Sequence, residues 1–193
     1  MRLAQEQHFI ASITYHTKGP MLITPYVVGE RTNPTPDIAR HVAEQIAPAE
    51  LPVKSSMYPV SGSDQDWLYH TFGTLAYIYE GDRHNPLAPE KRQNSVDVAR
   101  PTFKNLFNHI LNGPRLQGFV KTTAGQPLRA RVDIEGHVVH HDEQWTTRAD
   151  GRFDRMVLDV TPVTVRFTRL DTQGTTEIQM TPGATPITIT LDD

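Results

Sequence analysis

The chain has no cysteine among its 193 residues, which excludes disulfide bonds and metal sites built on thiolates. It has no apolar run long enough to cross a bilayer, and its first segment, MRLAQEQHF, lacks the apolar stretch of a secretory signal. It also lacks a large excess of either charge, with a formal net charge of -3, so bulk electrostatics do not favour nucleic acid or an anionic membrane as a partner. The composition is that of an ordinary globular protein, and its nine histidines allow a metal site made of His, Asp or Glu.

Helix and strand patterns in the first part of the chain predict an α/β domain. Leu3, Ala4 and Gln7 indicate the last turns of a helix, so we expect the sequence to begin within a domain. The apolar, β-branched segment FIASITYH predicts a buried strand that ends at His16, and TKGPMLITPY predicts a turn followed by a second extended segment. We therefore expect part of a mixed sheet with flanking helices.

Two amphipathic helices are predicted in the same part. The first is expected to be capped by Thr35, to have Pro36 at its first position and to end before Pro48. Its apolar face consists of Ile38, Val42 and Ile46. The second follows a loop through NPLAPEKRQNS and ends at the cap signal Asn112–Gly113. Its broad apolar face consists of Val96, Phe103, Leu106, Phe107 and Ile110.

A long loop and then a strand are predicted between these helices. The segment VKSSMYPVSGSDQDW is rich in Ser, Gly and Asp, and long ordered loops in compact domains often have a functional role. The segment LAYIYE alternates in the manner of a strand, with Glu80 on the same face as Ala76 and Ile78. An otherwise apolar face therefore ends in a carboxylate.

The sequence pattern changes at NGPR, and we expect a domain boundary there, with domains over residues 1–113 and 114–193. Beyond it, short alternating runs are separated by turn signals such as Ala124–Gly125 and Asp150–Gly151. This pattern predicts a small all-β sandwich. The apolar residues of its expected strands are Phe119, Val120, Val132, Ile134, Val163, Val165, Phe167, Ile178, Met180, Ile187, Ile189 and Leu191.

Two segments of the first part resemble the catalytic domain of zinc metallocarboxypeptidases of the carboxypeptidase A type. ITYHTKGPMLITPY resembles the family segment that supplies the third zinc ligand at a strand end and then reaches a Pro-Tyr pair. YPVSGSDQDWLYHTFGTLAYIYE resembles the segment with a substrate-side Tyr, an Asp-Trp-x-Tyr signature and the catalytic Glu. LQGFVKTTAGQPLRARVDIEG and the sequence after it resemble the transthyretin-like, carboxypeptidase regulatory-like domain. The resemblance implies the C-terminal half of a catalytic domain followed by a β-sandwich.

The resemblance assigns roles to four residues. It implies that His16 binds zinc, that Glu80 is the general base and that Tyr58 is the mobile tyrosine over the substrate. It also implies that Gln65 faces the C-terminal side chain of the substrate, where an uncharged amide selects neither cationic nor large apolar groups. Zinc binds neutral imidazole, and a desolvated Glu can take a proton from water and deliver it to a leaving amine, so these residue types suit peptide hydrolysis.

Each of these residues also has a structural interpretation when it is taken alone. A histidine at a strand end is commonly a satisfied structural residue, a terminal glutamate a solvated strand end, and Tyr58 a packing residue of its loop. Asp66 and Trp67 are expected to be structural, with the carboxylate bonded to backbone amides and the indole in the core. The functional interpretation depends on the joint occurrence of His16, Tyr58 and Glu80 in the order of the family.

The family's other functional groups, a His-x-x-Glu zinc pair and the Arg and Asn-Arg groups that bind the substrate carboxylate, would lie upstream of Met1. Because a catalytic zinc site takes three protein ligands, we expect this chain alone to be inactive, with the N-terminal half of the catalytic domain as a candidate partner. Two His-x-x-Glu strings occur in the chain, His41–Glu44 and His140–Glu143. The first is expected on a helix surface and the second in a surface loop, rather than at a metal site.

Peptide or protein C-termini are the expected substrates, and zinc is the expected cofactor. The transthyretin-like tail slightly favours basic C-terminal residues, whereas Lys18 disfavours them. Two alternatives stay open: a non-catalytic remnant that binds a peptide or cell-wall component, and a related zinc amidohydrolase such as a deacylase on the same scaffold. The resemblance favours a periplasmic or secreted protein, although the sequence itself does not define the compartment.

Overall fold

The computed structural model describes residues 1–17, 19–55, 60–82, 88–183 and 185–192. These residues form helices together with mixed and antiparallel sheets, which confirms the mixed α/β class. The helices are α1 (Arg2–Gln7), α2 (Ile38–Ile46), α3 (Asp64–Phe72) and α4 (Pro89–Asn112). The strands are β1 (Ala11–His16), β2 (Met21–Ile23), β3 (Val53–Lys54), β4 (Leu75–Glu80), β5 (Arg115–Thr122), β6 (Ala130–Ile134), β7 (Arg152–Met156), β8 (Val163–Arg169), β9 (Thr175–Met180) and β10 (Ile187–Leu191).

A four-stranded mixed sheet organises the first part of the chain. Its order is β1-β4-β2-β3, with β1 parallel to β4, β2 antiparallel to β4 and β3 parallel to β2. One face of β4 contributes Leu75, Tyr77 and Tyr79 to a buried cluster that includes α2, and the other face contributes Ala76 to a smaller cluster with α1 and α3. Within the described residues β1 is an edge strand, and its carboxyl end lies beside that of β4.

Helix α2 begins two residues later than Thr35 and Pro36 predict. Its N-cap is Asp37, whose carboxylate accepts a hydrogen bond from the Arg40 backbone N–H at 3.0 Å. An Asp side chain satisfies a free N–H at a helix start, and this local bond sets the first turn. The prediction that the helix ends before Pro48 is confirmed, since its last residue is Ile46.

Helix α3 lies where the sequence predicts the end of a loop. It begins at Asp64 and ends at Phe72, and the next residue, Gly73, is its C-cap with a left-handed φ of 68°. Leu68 and Phe72 are buried on one side of the helix, and Trp67 packs against them as a partly buried residue. The loop prediction for the residues after Ser63 is therefore wrong, and Gly73 is the helix-stop signal that would have indicated a helix.

Helix α4 begins at Pro89, inside the segment predicted as a loop, and ends at Asn112 as predicted. Its predicted apolar face is largely uncovered within the described residues, because Val96, Phe103 and Phe107 are about half exposed while Leu106 is buried. An apolar stripe that is left in water indicates a surface that contacts something else. No helix among the described residues is long and apolar enough to cross a membrane.

Six strands in the second part form two three-stranded sheets. One sheet has the order β10-β5-β7, with β10 parallel and β7 antiparallel to β5, and the other has the antiparallel order β6-β8-β9. Alternation predicts five of these strands correctly, but it misses β7, because RFDRM carries Asp154 and Arg155 at buried positions. Residues from both sheets share one buried apolar cluster, which includes Leu116, Val120, Val132, Phe153, Val165, Phe167 and Ile189.

The second part packs directly against the first through Trp145. This side chain belongs to the buried cluster of the four-stranded sheet, and its Nε1 donates a hydrogen bond to the His70 carbonyl oxygen at 3.3 Å. Its ring lies against Gly73, where an added Cβ would be 2.6 Å from an indole carbon. The predicted boundary at residue 113 follows the end of α4, and the contact around Trp145 joins the regions on its two sides.

Candidate functional site

His16 and Glu80 lie side by side at the carboxyl ends of the parallel strands β1 and β4. The two residues are register partners, and His16 Nδ1 is 3.6 Å from Glu80 Oε1. Successive strand residues alternate between faces, and register partners in a parallel pair share a face. The fold therefore brings together the two residues that the resemblance implies for metal binding and proton transfer.

Glu80 is buried, with 4% of its surface exposed. Its Oε2 is also buried and has no hydrogen-bond partner among the described residues. The interpretation of Glu80 as a solvated strand end is therefore wrong. An unpartnered buried oxygen costs about 1–3 kcal/mol, so a ligand or water that donates a hydrogen bond to Oε2 would be stabilised there.

His16 is the exposed member of the pair, with 67% of its side chain accessible. Its Nδ1 lies 3.0 Å from the Thr17 carbonyl oxygen. A carbonyl oxygen only accepts hydrogen bonds, so Nδ1 carries the proton in this arrangement and the lone pair is on Nε2. A backbone partner of this kind orients an imidazole ring while one nitrogen stays available to a ligand.

The other two predicted site residues are placed differently. Gln65 is 1% exposed on α3, and its Nε2 donates a hydrogen bond to the Ile23 carbonyl oxygen at 2.9 Å. Its Oε1 is buried and has no partner among the described residues. Tyr58 lies outside the described residues, as does Lys18, so the geometry around His16 and Glu80 includes neither of them.

Asp66 has the structural role that the sequence predicts. Its carboxylate accepts hydrogen bonds from the backbone N–H of Val27 at 3.1 Å and of Val28 at 2.9 Å. Burial raises the pKa of the Asp66 carboxyl above its usual value, while the two N–H groups act in the opposite direction. These bonds fix α3 to the segment that follows β2 and so hold Gln65 in place.

Asp64 is a carboxylate that sequence reasoning missed, and it contacts β1 two residues before His16. Thr14 precedes His16 by two residues on the same face of β1, and its hydroxyl donates a hydrogen bond to Asp64 Oδ2 at 3.0 Å. Asp64 lies in the first turn of α3. An acidic residue there is a helix-start signal, which would have identified both the helix and the carboxylate.

Glu143 is a second buried carboxylate, and it lies at the contact between the two parts of the chain. The Tyr26 hydroxyl donates a hydrogen bond to its Oε1, and Arg31 Nη2 lies 3.2 Å from the same oxygen. Burial and this hydrogen bond raise the pKa of Tyr26. Arg31 also binds Asp142 through both terminal nitrogens, which lowers the pKa of the Asp142 carboxyl. The loop predicted at His140–Glu143 is present. The prediction that it lies on the surface is wrong for Glu143, whose side chain is buried.

A groove of about 920 Å³ runs beside this site, between the edge strand β1 and α4. Most of the exposed surface of its lining is apolar, and His16 is one of the polar lining residues. The lining includes Tyr15, Tyr79, Val96, Ala99 and Phe103. Burial raises the pKa of Tyr15, which therefore remains a neutral hydrogen-bond donor at the rim. The side chains of Tyr15 and Tyr79 lie on the opposite face of the sheet from those of His16 and Glu80, so the groove and the pair have His16 in common but occupy different faces of the β1 edge.

The donor set fits one part of a zinc site. His16 supplies an imidazole, a side chain that binds zinc in its neutral form, and the Glu80 carboxylate lies 3.6 Å from its Nδ1. Among the described residues, no group of three or more His, Cys, Asp or Glu side chains is placed to hold a metal ion. No protein-family model matches the chain, and no curated protein matches it.

Proposed function

We propose that this chain is the C-terminal part of a zinc-dependent metallocarboxypeptidase, a hydrolase that removes residues from the C-termini of peptides or proteins. The observation that carries the proposal is the His16–Glu80 pair, at 3.6 Å and in register at the ends of parallel strands. Open α/β sheets place their sites at the carboxyl ends of strands, which also supports this location.

The proposed mechanism divides the chemistry between the two residues. His16 would be one zinc ligand, and zinc in such a site polarises a carbonyl group and lowers the pKa of water. Glu80 would take a proton from the attacking water and deliver it to the leaving amine. The burial of Glu80 supports this role, because a carboxylate with little competing water interacts more strongly with a proton donor.

The two other implied site residues would contact the substrate. Tyr58 would move over the bound peptide, exclude water and donate a hydrogen bond. Gln65 would offer its buried amide oxygen near the C-terminal side chain of the substrate, because its amide nitrogen is already bonded to Ile23. The uncharged Gln65 selects neither a cationic nor a large apolar residue.

The remaining zinc ligands would come from a second polypeptide region, the N-terminal half of the catalytic domain. Within the described residues β1 has no neighbour on its outer edge, and this supports this part of the proposal. An added strand would pair with the free backbone N–H and C=O groups of that edge and would cover the exposed side chains of α4 along the groove. This arrangement would bring new ligands to the end of β1, where His16 lies.

The second part of the chain would be a transthyretin-like β-sandwich that serves as a docking platform. The apolar cluster shared by its two sheets supports a sandwich. The contacts of Trp145 and Glu143 with the first part support a docking role.

A second candidate function is peptide binding without catalysis. The groove favours it, because an edge strand next to an apolar channel can accept an extended peptide as an additional strand. This candidate predicts peptide affinity that does not depend on zinc.

The proposal is tested on protein purified from its source cells through a tag after Asp193, so that a polypeptide completing the site is retained. We expect bound zinc, release of C-terminal amino acids from a peptide with a free carboxylate, and loss of release when the zinc is chelated. His16→Ala should lose both zinc and activity, whereas the exposed control His141→Ala should keep both. An inactive wild-type protein, or a His16→Ala variant that retains zinc, would contradict the proposal.

A further inference from the structure

A second cleft, of about 320 Å³, lies on a different part of the molecule, between the α1–β1 connection, α4 and β7. Its lining includes Arg148, Arg152 and Arg155 on one side and the apolar Phe107 and Ile110 on the other. The acidic residue in this lining is Asp154, and Asp150, outside the lining, pairs with Arg148 at 3.4 Å. The cleft therefore has an excess of positive charge.

Arg155 is the most unusual of these residues because it is a buried cation. It is 6% exposed, and its terminal nitrogens donate hydrogen bonds to two carbonyl oxygens, of Asp154 at 3.0 Å and of Thr146 at 3.3 Å. Its Nε is buried and has no hydrogen-bond partner among the described residues. Burial of an arginine is costly unless its charge is paired and its N–H groups are bonded. Neutral carbonyl oxygens supply only part of that compensation.

The neighbouring Asp154 does not complete the pairing. Neither of its carboxylate oxygens has a hydrogen-bond partner among the described residues, and Arg152 Nη2 is 3.6 Å from Oδ2. Burial raises the pKa of the Asp154 carboxyl, and this favours its neutral form. Arg148 also pairs with Asp150 at 3.4 Å, so two carboxylates lie near three guanidinium groups and one positive charge is left over.

His8, the C-cap residue of α1, lies close enough to these arginines for their charge to affect its pKa. Its Nδ1 is buried without a hydrogen-bond partner among the described residues. Its pKa is lowered, first by burial and then by the positive charge of Arg155, with smaller contributions from Arg129 and Arg148. The guanidinium groups therefore disfavour the protonated imidazole, and an anion bound near them would favour it.

We propose that this cleft binds a small oxyanion, a carboxylate or phosphate group, with its oxygens facing Arg148, Arg152 and Arg155. Planar guanidinium groups bind carboxylates and phosphates through paired N–H donors, and the cleft volume of about 320 Å³ is sufficient for one such group. The apolar residues Phe107 and Ile110 would contact a short organic substituent if the anion has one. This site is independent of the proposed hydrolysis, since none of its residues belongs to the His16–Glu80 pair.

Inorganic phosphate is the probe for the first experiment. The melting temperature and the calorimetric dissociation constant are measured in potassium phosphate, with potassium chloride at the same ionic strength as reference. We expect phosphate to raise the melting temperature above that in chloride, because a ligand that binds the folded state stabilises it. Arg152→Gln should weaken phosphate binding by about tenfold or more, since it removes one charge-assisted contact.

The control Arg166→Gln removes the same charge from an exposed position on β8, where Arg166 pairs with Glu177. Its phosphate affinity should equal that of the unmodified protein. Arg155 is left unchanged because its removal from a buried position would mix loss of binding with loss of folding.

An independent measurement follows the His8 imidazole by NMR. Saturation with phosphate should raise the His8 pKa, because the anion offsets the positive charge of Arg155 and Arg148. Equal melting temperatures in phosphate and chloride, or equal loss of affinity in Arg152→Gln and Arg166→Gln, would overturn the proposal. A His8 pKa that phosphate leaves unchanged would overturn it as well.

Discussion

Glu80 and Glu143 are both buried carboxylates, but their hydrogen bonding differs. Glu143 is bonded at both oxygens, with Tyr26 and Arg31 at Oε1 and the His140 backbone N–H at Oε2. Glu80 Oε2 has no such partner among the described residues. Full hydrogen bonding is typical of a structural carboxylate, whereas a free buried oxygen is available to a substrate or water. This contrast is the reason for assigning proton transfer to Glu80.

The position of Glu80 in the fold can be predicted from the sequence, whereas the burial of Glu143 cannot. Glu80 ends an alternating strand, so its position and face follow from local periodicity. The burial of Glu143 depends on Tyr26 and Arg31, more than 100 residues away in the sequence. No local pattern around HVVHHDEQW indicates these partners, so the loop was predictable and the buried contact was not.

Gly73→Ala is predicted to destabilise the protein by about 2–5 kcal/mol, because the new methyl group combines left-handed backbone strain with overpacking. The φ of Gly73 is 68°, and its Cβ would lie 2.6 Å from an indole carbon of Trp145. Urea denaturation measures the change. Gly62→Ala is the matched control, since Gly62 also has a positive φ but no described residue lies within 4 Å of its added Cβ. It should cost only about 1–2 kcal/mol, and equal losses for both variants would contradict the Trp145 contact.

We expect the free energy of unfolding to depend on pH through the buried His137. Burial lowers its pKa from 6.5 to about 4. Between these values the unfolded chain binds a proton that the folded chain does not, so the free energy of unfolding should fall by about 3 kcal/mol as pH decreases through this window. His137→Gln should remove this part of the pH dependence, and the exposed control His141→Gln should retain it. Denaturation curves between pH 7 and pH 4 test the prediction, which is wrong if both variants behave alike.

At the scale of elements, α3 and β7 show where periodicity fails. The residues Trp67–Phe72 mix apolar and polar side chains in a way that fits a loop or an aromatic strand as well as a helix, so the left-handed Gly73 cap is the better signal. β7 buries Asp154 and Arg155, and a strand with charged residues inside has no apolar alternation to detect. Strands β1 and β4 were predictable because their apolar and aromatic residues are continuous.

Pro101→Ala is predicted to stabilise the protein. Pro101 lies in the interior of α4 and has no N–H to donate to the carbonyl oxygen one turn earlier. Alanine at this exposed position restores the donor and should raise the free energy of unfolding by about 1–3 kcal/mol. Asn94→Ala, exposed on the same helix, is the control for helix propensity and should change stability by at most about 0.7 kcal/mol. A less stable Pro101→Ala variant would show instead that α4 requires the proline for its packing.

In the whole molecule, the apolar cluster of the mixed sheet includes residues from the second part of the chain. Residues from the mixed sheet and from Trp145 share one cluster, and the two β-sheets of the second part share the other. The Tyr26–Arg31–Glu143 group lies at the same junction. The sequence predicts a change of pattern at NGPR, but it does not predict this junction, because the contacts depend on how the two parts pack in space.

Arg31→Met is predicted to weaken this junction by about 2–4 kcal/mol, because it leaves the Glu143 carboxylate buried without its cation. The Glu143 side chain has 0% exposure, and Arg31 Nη2 lies 3.2 Å from it. The double variant Arg31→Met with Glu143→Gln should recover most of the loss. Arg166→Met, which breaks the exposed pair with Glu177, should cost about 1 kcal/mol or less. Chemical denaturation of the three variants and the unmodified protein measures these differences, and equal costs for both arginine substitutions would contradict a buried pair.

We propose that Glu80 transfers the proton during peptide hydrolysis at a zinc site that includes His16. The most direct test is kcat for the release of C-terminal residues by the Glu80→Gln variant of the protein purified from its source cells. We expect kcat of the Glu80→Gln variant to fall by about 10²–10⁴-fold while its zinc content and melting temperature stay unchanged. The exposed control Glu50→Gln should retain full activity. Full activity in Glu80→Gln would contradict the account.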